Sequence, residues 1–163
     1  MADLIFRTAT RADLPVILHL LADDNIARTR ESAPTSPAAG GDVVEEAVDA
    51  AYWSAFEAID ADPRNDLIVA ETGGEIVGTC QLTFTPSLSR RGTERMTIEA
   101  VRIRDDQRGR GLGRRMMEWS LDRARERGCR LAQLTTDKRR TDAHRFYASL
   151  GFEATHEGFK IAL

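Results

Sequence analysis

Residues 98–115 read IEAVRIRDDQRGRGLGRR, and the organisation of the chain can be worked outward from this stretch. Met96, Ile98 and Ala100 occupy one parity of a strand, whereas the next apolar residues, Val101 and Ile103, occupy the other. Side chains alternate between the faces of a sheet, so the phase slip predicts an inserted residue, a β-bulge, near residues 99–101. A strand buried on one face that becomes buried on both would give the same pattern. Directly afterwards Gln107-Arg108-Gly109-Arg110-Gly111-Leu112-Gly113 places three glycines within five residues. Glycine turns a backbone tightly, and several N–H groups can then point one way at the positive end of a helix. Arg102, Arg104, Arg108, Arg110, Arg114 and Arg115 outnumber Asp105 and Asp106 by four charges in a chain of net charge −3. Together these features predict a cradle for a ligand with several phosphates; a solvated basic turn is the alternative.

Other phosphate motifs fail on register. A G-x-G-x-x-G fingerprint beginning at Gly109 needs glycine at position 114, where Arg114 stands, and the Walker A pattern is absent. The 163 residues, 42% of them hydrophobic, suffice for one domain over residues 1–163 with a core of its own. The acidic balance, 23 Lys and Arg against 26 Asp and Glu, argues against a nucleic-acid binder held by many phosphates. Cys80 and Cys129 stand far apart, in no C-x-x-C spacing, which makes a disulfide framework or a cysteine-ligated zinc site a poor reading. With no H-E-x-x-H or G-x-S-x-G, no metal site and no serine-hydrolase chemistry are expected. The opening residues have no signal-peptide pattern and no run of apolar residues is long enough to span a bilayer, so the expectation is a soluble cytoplasmic protein with no membrane partner.

Around the central stretch, residues 4–7 read as a strand, and Thr10 with Asp13 resembles a capping box opening a helix to about residue 21. Residues 31–42 are rich in Ser, Pro, Ala and Gly and predict a surface loop; Val44, Ala47, Val48, Ala51, Tyr52, Ala55, Phe56 and Ile59 predict a second helix. Residues 67–71 and 75–85 predict strands joined by a Gly73-Gly74 turn, residues 86–93 a loop, and residues 95–104 a third strand of the meander. A helix over 112–127 capped by Gly128, a strand over 131–135, a helix over 141–150 and a last strand over 159–163 complete the order. The result, β-α-α-β-β-β-α-β-α-β, predicts an α+β fold: a mixed, mostly antiparallel sheet flanked by helices.

Arg108-x-x-Gly111-x-Gly113, between a strand and a long helix, resembles the R/Q-x-x-G-x-G/A acetyl-coenzyme A signature of the GNAT superfamily of N-acetyltransferases. Residues 142–152, DAHRFYASLGF, resemble that superfamily's second cofactor-contacting segment. Residues 135–163 further resemble small-molecule acetyltransferases, among them the aminoalkylphosphonate N-acetyltransferases. The resemblance implies acetyl-CoA as co-substrate, a small-molecule primary amine as acceptor, and a homodimer as a state common among relatives. It assigns cofactor contacts to Val101, Ile103, Gln107, Arg108, Gly109, Arg110, Gly111, Gly113, Arg114, Asp137, His144 and Tyr147. Glu99, at the phase slip, matches an acidic position often used as base in the superfamily, acting directly or through a water, and Tyr147 matches the common general acid. Each also has a plainer reading, Glu99 as a surface carboxylate beside an arginine and Tyr147 as a helix residue packed beside Phe146 and Phe152.

Acceptor recognition is expected from the first two helices, the loop between them through Gly41, and residues 86–93. There Arg90 and Arg91 offer charge to an acceptor anion, while Asp23, Asp24 and Glu31 offer it to an ammonium; each also reads as a solvated surface charge. Neither cysteine suits an acyl carrier, so direct transfer in a ternary complex is expected. The alternative to an enzyme is an acyl-CoA sensor or interaction module that keeps the cradle without the chemistry; acetylation of a protein or peptide amine is a further option.

Overall fold

A computed structural model describes residues 3–23 and 48–163. Five strands, β1 (Leu4–Thr8), β2 (Asn65–Thr72), β3 (Glu75–Thr85), β4 (Arg95–Ile103) and β5 (Leu131–Leu134), form one sheet in sequence order. The first three pairings are antiparallel and β4 runs parallel to β5, joined to it through the long helix α4 (Leu112–Glu126). The remaining helices are α1 (Leu14–Ala22), α2 (Ala50–Ala61), the four-residue turn α3 (Ser89–Gly92) and α5 (Thr141–Ser149). This is the expected mixed, mostly antiparallel α+β sheet.

Two apolar clusters hold helices on opposite faces. Ile68, Cys80, Leu82, Phe84, Met96 and Ile98 pack with Met116, Met117 and Ala124 of α4. Val69 on the other face packs with Leu14, Ile17 and Leu18 of α1 and Phe56 of α2. The period of two in β3 and β4 separates these sets. Registered neighbours Asn65, Thr83, Thr97 and Gln133 make a polar row across four strands, with Gln81 and Glu99 in the row beside it. Asn65 Oδ1 accepts from Gln81 Nε2 (3.1 Å) and Thr83 Oγ1 (3.0 Å), and Gln133 Nε2 donates to Thr97 Oγ1 (3.1 Å). The face that holds α1 and α2 over part of its area therefore presents hydrogen-bonding groups elsewhere.

The Thr10–Asp13 pattern does start the first helical segment. Asp13 accepts from Thr10 N (2.7 Å), Thr10 Oγ1 (2.9 Å) and Arg7 (2.7 Å), and Arg7 also donates to Glu71 (2.9 Å). Burial pushes the Asp13 carboxyl up, but the Arg7 and Thr10 hydrogen bonds and the Arg7 charge outweigh it and leave the group below its ordinary value.

Two expectations need correction. The second helix begins at Ala50, where the Asp49 side chain accepts from Ala51 N (2.8 Å) in an N-cap; Val48 precedes it, and Val44 and Ala47 lie outside the described residues. Residues 159–163 form no strand: residues 153–163 have neither helix nor strand and are exposed throughout. Their alternation is right for a strand, but no partner strand lies beside them among the described residues, and a strand exists only through its ladder.

Candidate active site

The site is built where β4 changes partners. From Arg95 to Ile98 the strand lies between β3 and β5, with Ile98 opposite Leu134. β5 ends there, and Glu99 to Ile103 keep only β3. At the same point two residues of β4, Ala100 and Val101, stand opposite Cys80 alone, between the pairs Gln81–Glu99 and Thr79–Arg102. This is the bulge expected from the phase slip, and Ile103 returns to the face of Met96 and Ile98 opposite Gly78. Ala100 turns the bulge with φ of 53°, a left-handed conformation that costs a residue with a Cβ on the order of 1 kcal/mol. A strained backbone kept at the point of strand divergence directs attention to function there.

Beyond Ile103 a turn over Asp105–Gln107 leads into the glycine-rich loop. Gly109 (φ 75°) and Gly111 (φ 78°) both take the left-handed conformation, and a Cβ on either would meet no protein atom within 4 Å. Conformation, not crowding, demands glycine here, and the loop leaves open space before it. Gly111 is the N-cap of α4 and no side chain caps that terminus; Arg115 N to Gly111 O (3.1 Å) closes the first turn. The amides of the first turn thus have no bond within the helix. Arg108 is fixed by donating from Nε to Ile103 O (3.2 Å) and by pairing with Asp105 (2.6 Å). Arg110 is exposed on the loop, and Arg114 is on the first turn of α4. A diphosphate fits this donor set of main-chain amides and guanidinium groups at a helix N-terminus.

The second motif comes alongside through α5. A Cβ on Gly113 would stand 3.4 Å from the Phe146 ring, and Arg114 reaches Ser149 Oγ (3.0 Å), so α5 lies against the first turn of α4. His144 on α5 lies 3.2 Å, through Nε2, from Asp137 O in the loop after β5. The Asp137 carboxylate is held by Arg139 hydrogen bonds well below its usual range. Tyr147 is half-buried between the rings of Phe146 (5.2 Å) and Phe152 (6.0 Å). Burial raises its phenol pKa, against the opposing charges of Arg102 and Arg140. Both sequence motifs therefore meet at the open half of β4.

Not every candidate gathers there. Glu99 is exposed, in register with Gln81 at the edge of the bulge. Arg90 and Arg91 sit in α3, before the start of β4, with φ of 51° and 63°. Four residues of strand, about 13 Å, separate Arg95 from Glu99, and the glycine loop follows the strand's other end. The two arginines, expected at the acceptor, thus stand at the end of β4 opposite the cradle. Asp24, Glu31 and Gly41 lie outside the described residues, and Asp23 is the C-cap of α1. Cys80 is fully buried beside Ser120 (3.9 Å), and burial pushes its thiol up to about 12, so it holds its proton at neutral pH.

Two further residues shape the site: Arg102, which the sequence marks only as one of the basic residues of the cradle stretch, and Gly78, to which it assigns no role. Arg102 donates to the bulge carbonyl of Val101 (2.8 Å) and its charge acts on Tyr147. Gly78 admits the second half of β4: a Cβ there would lie 2.7 Å from Ile103 Cδ1 and 3.0 Å from Met116 Cε. A glycine inside an apolar strand was the only signal of that close approach.

Comparison with known proteins agrees with this geometry. Residues 28–152 match the model of the Acetyltransferase (GNAT) family. An aminoalkylphosphonate N-acetyltransferase of Salmonella typhimurium is 32% identical over 113 residues, 69% of this chain and 73% of that protein. The crystal structure of a protein described as a transcriptional regulator from Bacillus halodurans C-125 is 46% identical, with a TM-score of 0.88 over 99% of this chain and 100% of that one. A candidate acetyltransferase from Agrobacterium tumefaciens str. C58 is 28% identical, with a TM-score of 0.79 over 98% of this chain and 99% of that one.

Proposed function

Because this chain belongs to the GNAT family of acetyltransferases, we propose that its open half of β4 is where an acetyl group passes from acetyl-CoA to the primary amine of a small molecule. The observation that carries the proposal is the coincidence of the Ala100 bulge, the uncapped N-terminus of α4 and Tyr147 at one end of the sheet.

Acetyl-CoA supplies the acetyl group as an activated thioester. The amides from Gly109 to Gly113, with Arg108, Arg110 and Arg114, hold the diphosphate. Val101 and Ile103, with Gln107, line the path from that cradle to the bulge, and Asp137 and His144 border it from the β5 side. Within the bulge, Val101 N–H donates to the thioester carbonyl, where an oxyanion-hole donor is typically worth about 3 kcal/mol. An alkylammonium is only about 1 in 2,500 deprotonated at pH 7, so a base is needed. Glu99 takes that proton, directly or through a water, on the polar face formed by Gln81, Thr83 and Thr97. Tyr147 returns a proton to the departing sulfur. Its raised pKa keeps it a donor up to and beyond the ordinary phenol value near 10.

The acceptor face is polar, and the Salmonella relative makes aminoalkylphosphonates the first candidate acceptors. The test is thiol release from acetyl-CoA with a panel of aminoalkylphosphonates, amino sugars and simple alkylamines, with identification of the acetylated product. Amine-dependent release supports the reading. Binding of acetyl-CoA without turnover of any amine favours a second reading, an acyl-CoA sensor, which the relative described as a transcriptional regulator brings forward. In that reading Glu99 and Tyr147 have no chemical task.

A further inference from the structure

Arg95, Thr97 and Glu99 lie two apart along β4 and so share one face, opposite the one that carries Met96 and Ile98 into the core. Thr97 and Glu99 belong to the polar rows of that face, and Arg95, in register with Thr85 and Leu131, extends it by one row. Arg95 is half-buried, and its Nε is buried with no hydrogen-bond partner. Among the described residues its side chain enters no hydrogen bond and no ion pair. A guanidinium has five N–H donors to place, and a buried donor left unmatched calls for a reason.

The carboxylates at this end of the sheet are committed to other arginines. Glu94, next to Arg95 in the chain, pairs with Arg127 (2.7 Å), Asp62 with Arg64 (3.2 Å) and Asp66 with Arg123 (3.6 Å). The row between Arg95 and Glu99 is neutral, made of Asn65, Thr83, Thr97 and Gln133. Thr97 Oγ1 accepts from Gln133 Nε2 (3.1 Å), and a hydroxyl that accepts still has its own proton to donate. The polar face therefore has a positive end at Arg95, a negative end at Glu99, and hydroxyl and amide groups between them. The two residues stand about 13 Å apart along the strand, and an extended arginine side chain covers roughly half of that. A short molecule with opposite charges at its two ends matches what remains.

We propose that Arg95 determines which amine is used: with the Thr97 hydroxyl it binds a phosphonate or carboxylate at the far end of a substrate whose ammonium meets Glu99. The inference rests on the transfer reaction proposed above and deepens it, because it names the substrate class, amines with an anion several bonds from the nitrogen, and the side chain that reads the anion. A guanidinium suits this task, since its planar N–H fork meets two oxygens of one anion at once. An oxyanion also gives the Arg95 head group the hydrogen-bond acceptor that the described residues do not supply. Arg90 and Arg91, the arginines expected to meet an acceptor anion, sit in α3, whereas Arg95 is on the strand and the face of Glu99.

The test follows thiol release from acetyl-CoA with 3-aminopropylphosphonate, 4-aminobutanoate and butylamine, amines of similar length that differ at the far end. The wild-type kcat/KM should be about 50-fold higher for the better anionic amine than for butylamine. Arg95→Gln should raise KM for that anionic amine about 30-fold with kcat within about threefold, so that the preference over butylamine collapses. Arg95→Lys, which keeps the charge without the fork, should recover part of the lost affinity. Calorimetry of 3-aminopropylphosphonate on the CoA-bound protein reads the same contact without turnover, and there Arg95→Gln should weaken binding about tenfold or more. A wild type with no preference for an anionic amine overturns the proposal. So does a preference that survives in Arg95→Gln, because the anion is then read elsewhere, or an equal loss on all three amines, which makes Arg95 structural. If no amine is acetylated, the transfer reading fails on its own: weaker calorimetric binding in Arg95→Gln then still supports the anion site, and equal or absent binding overturns it as well.

Discussion

The two halves of β4 have the same neighbour on one side and opposite fates on the other. Arg95–Ile98 is enclosed by β3 and β5 and supplies Met96 and Ile98 to the core. The half from Glu99 to Ile103 has lost β5, takes a bulge at Ala100, and faces the glycine loop and α5. On the proposed function, a rigid strand becomes a binding surface when its ladder is opened on one side while its other side stays anchored.

Substitutions should separate the halves. Met96→Ala, at a fully buried position, should cost about 2–5 kcal/mol in urea unfolding, whereas Val101→Ala, half-buried, should cost about 1 kcal/mol or less. If Val101→Ala proved as destabilising as Met96→Ala, the second half would be core. Tyr147→Phe should lower kcat by about 100-fold and leave acetyl-CoA affinity within about twofold, measured by steady-state kinetics and calorimetry. In the wild type the raised phenol pKa places the loss of the proton donor, as pH rises, above about 10, so kcat should not fall between pH 8 and 10. Gly111→Val should weaken acetyl-CoA about tenfold, since a β-branched residue resists φ of 78° and would move the amides it precedes.

A further expected effect lies far from the site. Asp13→Asn should cost about 1.5–3 kcal/mol at neutral pH through its bonds to Arg7 and Thr10. Because the folded Asp13 carboxyl titrates below its unfolded value near 3.9, that stability is present above this pH and lost as pH falls through the folded value. Acid titration of the unfolding midpoint should show a shallower fall in the Asn variant.

How much of this could be read from residues follows the range of the forces involved. The bulge was legible because Ile103 must regain the apolar face left at Ile98, a constraint written into parity. The tight turn of the glycine loop was legible because Gly109 and Gly111 mark positive φ locally. The contact of Phe146 with Gly113, which sets α5 and its Tyr147 against the start of α4, depends on how two helices pack over a sheet and leaves no local mark. Nor does the sequence announce that Ala100 would accept a left-handed turn, or that Gly78 admits β4. The strand expected at residues 159–163 failed for a related reason: alternation reports which faces a segment has, and says nothing of where its partner lies.

An amide NMR titration with acetyl-CoA puts the central claim to its most direct trial. Shift changes should concentrate at Val101, at residues 108–114 and around Tyr147, with residues 95–98 of the same strand little altered. Saturable binding whose shifts fall elsewhere on the sheet, or none at millimolar acetyl-CoA, would contradict the account.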